Sequence, residues 1–230
     1  ERAQSIRRKL VDENSNDTKV LRDLAMGCYG LAKLALQIGK KDWAAESLAE
    51  ARALFNQLLK TNQGDLAVQY QLALCCRIAA DLECEERQSD EGLRLYDEAR
   101  QLMLSLASRN PSVPEYQVGL AEIHLNTAQA EYELGYGEKA MSSLAQAQQL
   151  LTPLVASCTD VARYRQDLIM TLCALAALHP DADRRAEAVA ALTRLRQQLD
   201  DLAQRIPDAE GVREQIEMAD AAIGAACAAP

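Results

Sequence analysis

The sequence predicts an all-α protein built as a solenoid of antiparallel helix pairs, and three observations lead there. The first is composition. Of 230 residues, 49% are hydrophobic and 26% charged, while aromatics make up 4% and Gly and Pro number 10 and 6. A chain dominated by Ala and Leu, with few breakers, favours helix almost throughout and has enough apolar residues for a core. The second is an internal period of 48 residues. The third is the placement of turn residues, which fall between the helical stretches in step with that period.

The period is carried by columns of matched residues. Leu24, Leu72, Leu120, Leu168 and Ile216 are separated by 48 each time, and four residues before them stand Val20, Val68, Tyr116, Tyr164 and Val212. Eight residues after the leucines come Ala32, Ala80, Ala128, Ala176 and Gly224. Further columns hold Ala44, Gly92, Ala140 and Ala188, then Leu48, Tyr96, Leu144 and Leu192, then Ala3, Ala51, Ala99, Ala147 and the larger Leu195. Small residues where helices cross let backbones approach to the short end of the usual 8–10 Å range. A single helix pair cannot bury the adjoining Leu and Tyr faces, whereas stacked pairs can, each against the next.

The units run 17–64, 65–112, 113–160 and 161–208, with a half unit at 1–16 and another at 209–230; 1–230 is expected to be one repeat domain. In 1–16, Ala3 and Leu10 align with Ala51 and Leu58, so these residues are expected to form the second helix of a preceding unit. In the first complete unit Asp17 is placed to cap a helix. Val20, Leu24, Leu31, Leu34 and Ile38 mark one apolar face at helical spacing, and Gly39 can end the helix in the left-handed conformation. A second helix follows from about Lys41 to Leu59, and Asn62-Gln63-Gly64 closes the unit. Pro111 and Pro207 mark two later closures, and His179-Pro180 the end of a first helix. The last stretch, Val212 to Cys227, reads as a first helix alone. The chain opens on Glu1, with no initiator Met and no signal peptide, and reads as a piece of a longer protein.

These residues resemble tetratricopeptide (TPR) repeats. Leu31-Ala32, Gly39, Ala44, Leu48 and Ala51 fall at that family's spacing, as do Thr127-Ala128, Gly135, Ala140, Leu144 and Ala147, and then Leu175-Ala176, Ala188 and Leu192. The resemblance spans nearly the whole chain and implies a right-handed superhelix. There are departures. The family's Trp position holds Cys28, Cys76, His124 and Leu172, its Tyr position Ala35, Glu83, Glu131 and His179, and Arg87 stands where a turn Gly belongs. The period of 48 exceeds the family's usual 34, so the helices must be longer or the loops fuller. The phrase NPSVPEYQVGLA, echoed as TDVARYRQDLI and NDTKVLRDLA, is similar to arrays in large bacterial multidomain proteins, many of them serine/threonine protein kinases.

Little points to catalysis. The net charge of −9 disfavours phosphate backbones and anionic lipid, so neither nucleic acid nor membrane is an expected partner. Seven cysteines, an odd number set mostly in helical patterns, fit a reducing compartment such as the cytoplasm better than a disulfide framework. The longest apolar run, Ile169 to Leu178, is about half a membrane span. Cys28, Cys76 and His124 share a column, yet equivalent positions on packed helices stand about 8–10 Å apart, against the 2.0–2.3 Å that zinc ligands need. They read as core residues, and adjacent Cys75 and Cys76 point different ways. No phosphate loop, His-Glu helix motif or nucleophile elbow is present. Glu83, Glu85 and Glu86 read as a solvated helix end. No enzyme, metal or cofactor is expected of this segment.

What remains is the inner face of the first helices, where the resembled family holds peptides or partner helices. Carried over, that face comprises Met26, Tyr29, Lys33 and Gln37; Leu74, Arg77, Asp81 and Glu85; Glu122, Leu125, Asn126, Gln129 and Glu133; and Met170, Cys173, Ala174 and Ala177. The expected core of the groove is Tyr29, Lys33, Gln37, Arg77, Asp81, Asn126, Gln129 and Glu133, with Asn126 where the family often bonds a ligand's backbone. The expected function is a protein-interaction scaffold for a peptide or partner domain. The alternative is a regulatory or sensor segment of a bacterial serine/threonine kinase or signalling protein, binding a small ligand or its own catalytic domain. Exposed repeat ends, Ala3 to Leu10 and Met218 to Cys227, would allow a homodimer.

Overall fold

The computed structural model describes residues 17–86, 89–158, 161–206 and 211–228. Among them there are nine helices and no strand. The chain divides into two compact units, Glu1–Ser112 and Val113–Pro230. The expectations for 1–16, Arg87 and Pro207 lie outside the described residues.

In the first unit, helices α1 (Thr18–Gln37), α2 (Lys41–Thr61), α3 (Leu66–Glu85) and α4 (Ser89–Arg109) pack each on the next. In the second, α5 (Pro114–Glu133), α6 (Gly137–Ser157), α7 (Ala162–Leu178), α8 (Ala182–Arg205) and α9 (Val212–Ala228) do the same, and α7 also touches α5 and α9. The first helices begin at Thr18, Leu66, Pro114 and Ala162, in steps of 48. The second helices begin at Lys41, Ser89 and Gly137 on the same step. Of the second helices α8 departs, starting at Ala182, three residues early. Pro180 stops α7, and Asp181 caps α8 by accepting from Arg184 N–H at 2.9 Å.

The ends of the helices follow from local chemistry. Asp17 accepts from the N–H groups of Lys19 (2.9 Å) and Val20 (3.3 Å), and Asp65 from Val68 N–H (3.1 Å), satisfying donors that a helix leaves open. Pro114 opens α5, where its missing N–H costs nothing. Gly39 and Gly135 close α1 and α5 with φ of +72° and +81°. Around Gly39, Lys40 N–H donates to Ala35 C=O and Gly39 N–H to Leu36 C=O, and Tyr136 and Gly135 repeat the pattern on Glu131 and Tyr132.

The matched columns form the cores. Leu24, Leu72, Leu120 and Leu168 are 2–5% exposed, and Ala44, Gly92, Ala140 and Ala188 are all buried. Burying each leucine side chain stabilises by roughly 1.5–3 kcal/mol. Phe55, Leu48, Met103 and Leu106 fill the first unit, and Leu144, Leu151, Ile169, Leu172, Leu192 and Leu199 the second. Gly92 is required by close approach. A Cβ there would overlap Cys84 Sγ and stand 3.2 Å from Ala80 C=O. At the last repeat the columns loosen: Ile216 is half-buried and Gly224 exposed.

One face is corrected by the structure. On α1 the buried residues are Leu21, Leu24, Ala25, Cys28, Ala32 and Ala35, whereas Leu34 and Ile38 are exposed and Leu31 only half-buried. At 100° per residue, Leu31, Leu34 and Ile38 lie to one side of Leu24 and the buried set to the other. Leucine size drew the expected stripe towards the wrong edge, and small Ala and Cys residues occupy the true contact.

Candidate functional site

The face expected to bind is built from repeat positions on the first helices. Tyr29, Arg77, Leu125 and Cys173 are equivalents at the 48-residue step, as are Lys33, Asp81, Gln129 and Ala177, and also Gln37, Glu85 and Glu133. None of these residues is fully buried, in contrast to the columns beside them.

In the first unit, Lys33 is exposed and lies over the Tyr29 ring, 5.8 Å from its centroid, and Gln37 is exposed at the last position of α1. Arg77 and Asp81 of α3 pair at 3.4 Å across one helical turn. Asp81 also accepts from the Tyr96 hydroxyl of α4 at 2.6 Å. Burial first, and then the Asp81 carboxylate beside it, push the Tyr96 phenol far above its usual range. Asp81 therefore ties α3 to α4 as well as facing outward. Glu85 pairs with Lys41 at 2.6 Å, and that bond raises the Lys41 ammonium pKa. The acidic run at this helix end is thus exposed at Glu85 and Glu86 but partly engaged, with Glu83 half-buried.

In the second unit, Gln129 donates to Glu133 at 2.6 Å, and both are exposed. Asn126 and Leu125 are half-buried. Glu122 accepts from Arg163 Nε at 2.6 Å, linking α5 to α7. On α7, Met170 is 43% exposed, Ala177 exposed, and Ala174 and Cys173 half-buried; burial pushes the Cys173 thiol up. Local pairs are thereby brought together: Tyr29 with Lys33, Arg77 with Asp81, and Gln129 with Glu133. Lys33 and Arg77 stand on α1 and α3 of the first unit, and Asn126 on α5 of the second.

Cys28, Cys76 and His124, which share a column, are 0%, 0% and 5% exposed, as core residues. Among the described residues no group of three or more His, Cys, Asp or Glu could hold a metal ion. No helix among them is long and apolar enough to cross a membrane.

Sequence reasoning missed the polar ties between successive repeats. Arg22 reaches Asp65 at 2.5 Å, and Arg52 of α2 reaches Glu98 of α4 at 2.9 Å. A signal for the second existed: Glu50 and Glu98 form one charged column and Arg52 and Arg100 another. The most buried cation among the described residues, Arg165 at 3% exposure, was also missed. Its Nε donates to Gln215 Oε1 at 2.8 Å, and Gln215 Nε2 donates to Ala162 C=O at 2.8 Å, fastening α9 to the start of α7.

No protein-family model matches the chain. No curated protein matches it either. Among solved structures it is similar to BtubC (BKLC) from P. vanneervenii, with 19% identity over 98% of this chain and 86% of that one and a TM-score of 0.56. The de novo designed helical repeat protein DHR64 covers 93% of this chain and 95% of its own at 19% identity and TM-score 0.37. TTC0263, a thermophilic TPR protein of Thermus thermophilus, covers 85% and 98% at 19% identity and TM-score 0.34. The likeness to BtubC bears on the fold alone. This chain is an all-α helical-repeat protein whose helix pairs recur every 48 residues.

Proposed function

We propose that the chain is a non-catalytic interaction scaffold, one repeat domain over 1–230, that holds a polar or charged segment of a partner protein against the first-helix faces of its repeats. The supporting observation is a contrast between positions. Columns that pack helix on helix keep their size from repeat to repeat, whereas the outward positions change freely, as in Lys33, Asp81, Gln129 and Ala177. Accessible side chains of mixed charge on rigid helices, carried by a recurring core, are what peptide recognition requires. The setting that fits is the cytoplasm of a bacterium. The test is a pulldown followed by calorimetry with the captured partner, using the unaltered chain and a Lys33→Ala/Arg77→Ala/Asn126→Ala variant. Binding weakened tenfold or more in the variant supports the assignment, and undiminished binding refutes it.

A second reading is favoured by the phrase from Asn110 to Ala121, which is similar to arrays beside bacterial serine/threonine kinase domains. There the chain would be a regulatory or sensor segment, binding a small ligand or the kinase domain itself. It predicts ligand-dependent compaction in solution scattering, which a passive scaffold would not show. Homodimerisation through the repeat ends would appear in the same experiment as a doubled mass.

A further inference from the structure

Apart from the groove positions, we infer that α1 carries a second docking surface. It is the edge formed by Gly30, Leu31, Leu34 and Ile38, and it takes an amphipathic helix of a partner protein, antiparallel to α1 and acidic in its first turn. The repeat shows what this edge is built to meet. Val68, Cys75, Ile78 and Leu82 of α3 are the equivalents of Val20, Gly27, Gly30 and Leu34 one period later. None of the four α3 residues is more than 9% exposed. The helix α2 packs over them. It pairs through Lys41 with Glu85 on one flank of that face, and its Arg52 lies beside Cys76 on the other. On α1 the same face is open. Val20 and Gly27 are half-buried, while Leu34 is 49% and Ile38 57% exposed. Gly30 is exposed, and a Cβ there would meet nothing within 4 Å. Leu34 and Leu82 are the same residue at the same repeat position, so 49% against 5% exposure measures a neighbour that α3 has and α1 lacks.

The helix that covers the equivalent face defines the chemistry of the occupant. Lys41 at the start of α2 meets Glu85 at the end of α3, so the covering helix runs antiparallel. A helix laid on α1 in the same way puts its first turns over Leu34 and Ile38, and an apolar stripe at helical spacing on Leu31. Gly30 lets its backbone come close. Charge sets a further condition. Where α3 offers Glu85 to Lys41, α1 has the neutral Gln37 and, just beyond it, the exposed Lys40. A carboxylate in the partner's first turn meets Lys40 and also suits the positive N-terminal end of its own helix. A second copy of this chain is the poorer fit. Its α2, α6 and α8 are each packed between two neighbouring helices, and none of them can be offered without opening its own stack.

The test uses the whole chain with ¹³C-labelled Leu and Ile methyls, titrated at neutral pH with two synthetic helices. Both have the 21-residue sequence of α2, one with Lys41→Glu, which makes its first turn acidic, and the other with Asp42→Lys, which makes it basic. Expected are saturable shifts at the Leu31, Leu34 and Ile38 methyls with the acidic peptide, and about threefold weaker binding of the basic one. In the chain, Leu34→Asp/Ile38→Asp alters two exposed positions and should weaken binding by about tenfold or more. Lys33→Ala/Arg77→Ala/Asn126→Ala should leave it unchanged, which separates this edge from the groove. No saturable shift at these methyls, equal binding of the two peptides, or undiminished binding by the Leu34→Asp/Ile38→Asp chain overturns the proposal. So does a dimer of the unaltered chain, seen in sedimentation, that Leu34→Asp/Ile38→Asp dissolves, since the edge would then belong to a second copy. The comparison of the two peptides on the unaltered chain decides the matter if the substituted chain does not fold.

Discussion

Replacing Gly92 by Ala separates a packing constraint from helix propensity, because the two act in opposite directions. Gly92 sits in the first turn of α4, where Ala would gain up to about 1 kcal/mol of helix propensity. Against that gain, the new Cβ would overlap Cys84 Sγ and come to 3.2 Å from the Ala80 carbonyl, on the facing helix α3. The sulfur can be moved by rotating a short side chain, but the carbonyl belongs to a helix backbone and yields only if α3 and α4 separate. Overpacking of this kind costs typically about 1–3 kcal/mol. The net expectation is destabilisation by about 1 kcal/mol, a fall in Tm of about 2–4 °C for a chain of this size. Circular dichroism at 222 nm through a thermal ramp reads it directly. Gly30→Ala is the control. Gly30 is exposed within α1, and a Cβ there meets nothing within 4 Å, so the propensity gain should stand alone and Tm should rise. Combining Gly92→Ala with Cys84→Ala should restore part of the loss, with a coupling of at least about 0.5 kcal/mol. A Gly92→Ala protein as stable as the Gly30→Ala protein, or a double substitution with no coupling, would refute the close approach of α3 and α4.

Gly39→Ala forces a β-carbon into φ of +72° at the end of α1 and should cost about 1–2 kcal/mol, seen as an earlier urea midpoint. Asp65 is held below the ordinary carboxylate range: burial works against ionisation, but the Val68 N–H bond and the Arg22 guanidinium outweigh it. A depressed folded pKa gives stability that is present above the unfolded value and lost as pH falls through the folded one. Asp65→Asn should therefore be less stable than the parent at pH 7, and the gap in Tm should close below about pH 4. Cys28, Cys75 and Cys76 are fully buried, and burial pushes the Cys76 thiol up to about 12 and that of Cys75 higher still. Iodoacetamide at neutral pH should label none of the three in the folded chain and all three in urea, as read by peptide mass; rapid labelling of any in the native state would contradict the packing.

The fold was legible to the extent that helix packing imposes size. The small columns at Ala32, Ala44 and Ala51 and the Leu24 column could be read directly, because a larger or polar residue at such a crossing separates two backbones or buries an unpaired group. Gly39 and Asp17 were legible for a similar reason, since each answers a local backbone demand. The orientation of α1 was not. Leu31, Leu34 and Ile38 have the apolar size of core residues, and a single helix holds no information on which neighbour will cover it. Arg165 was missed for a different reason: its equivalents in the three earlier repeats are glutamine or leucine, and its partner Gln215 lies 50 residues away on another helix.

The same reasoning explains why the binding face is the least legible part. A repeat array separates its constraints by position: one set of residues must fit the neighbouring helix, and another is free of that demand. At the first set, selection for stability leaves a recurring pattern that one sequence is enough to reveal. At the second, Tyr29, Arg77, Leu125 and Cys173 share a place in the repeat and nothing else, because each answers only to what touches it from outside. Period therefore identifies the scaffold, and departure from period marks candidates for function. Arg165 differs from its three earlier equivalents inside the core, and its bond to Gln215 offsets part of the cost of burying a guanidinium there. The groove positions are departures on the surface, where variation is cheap.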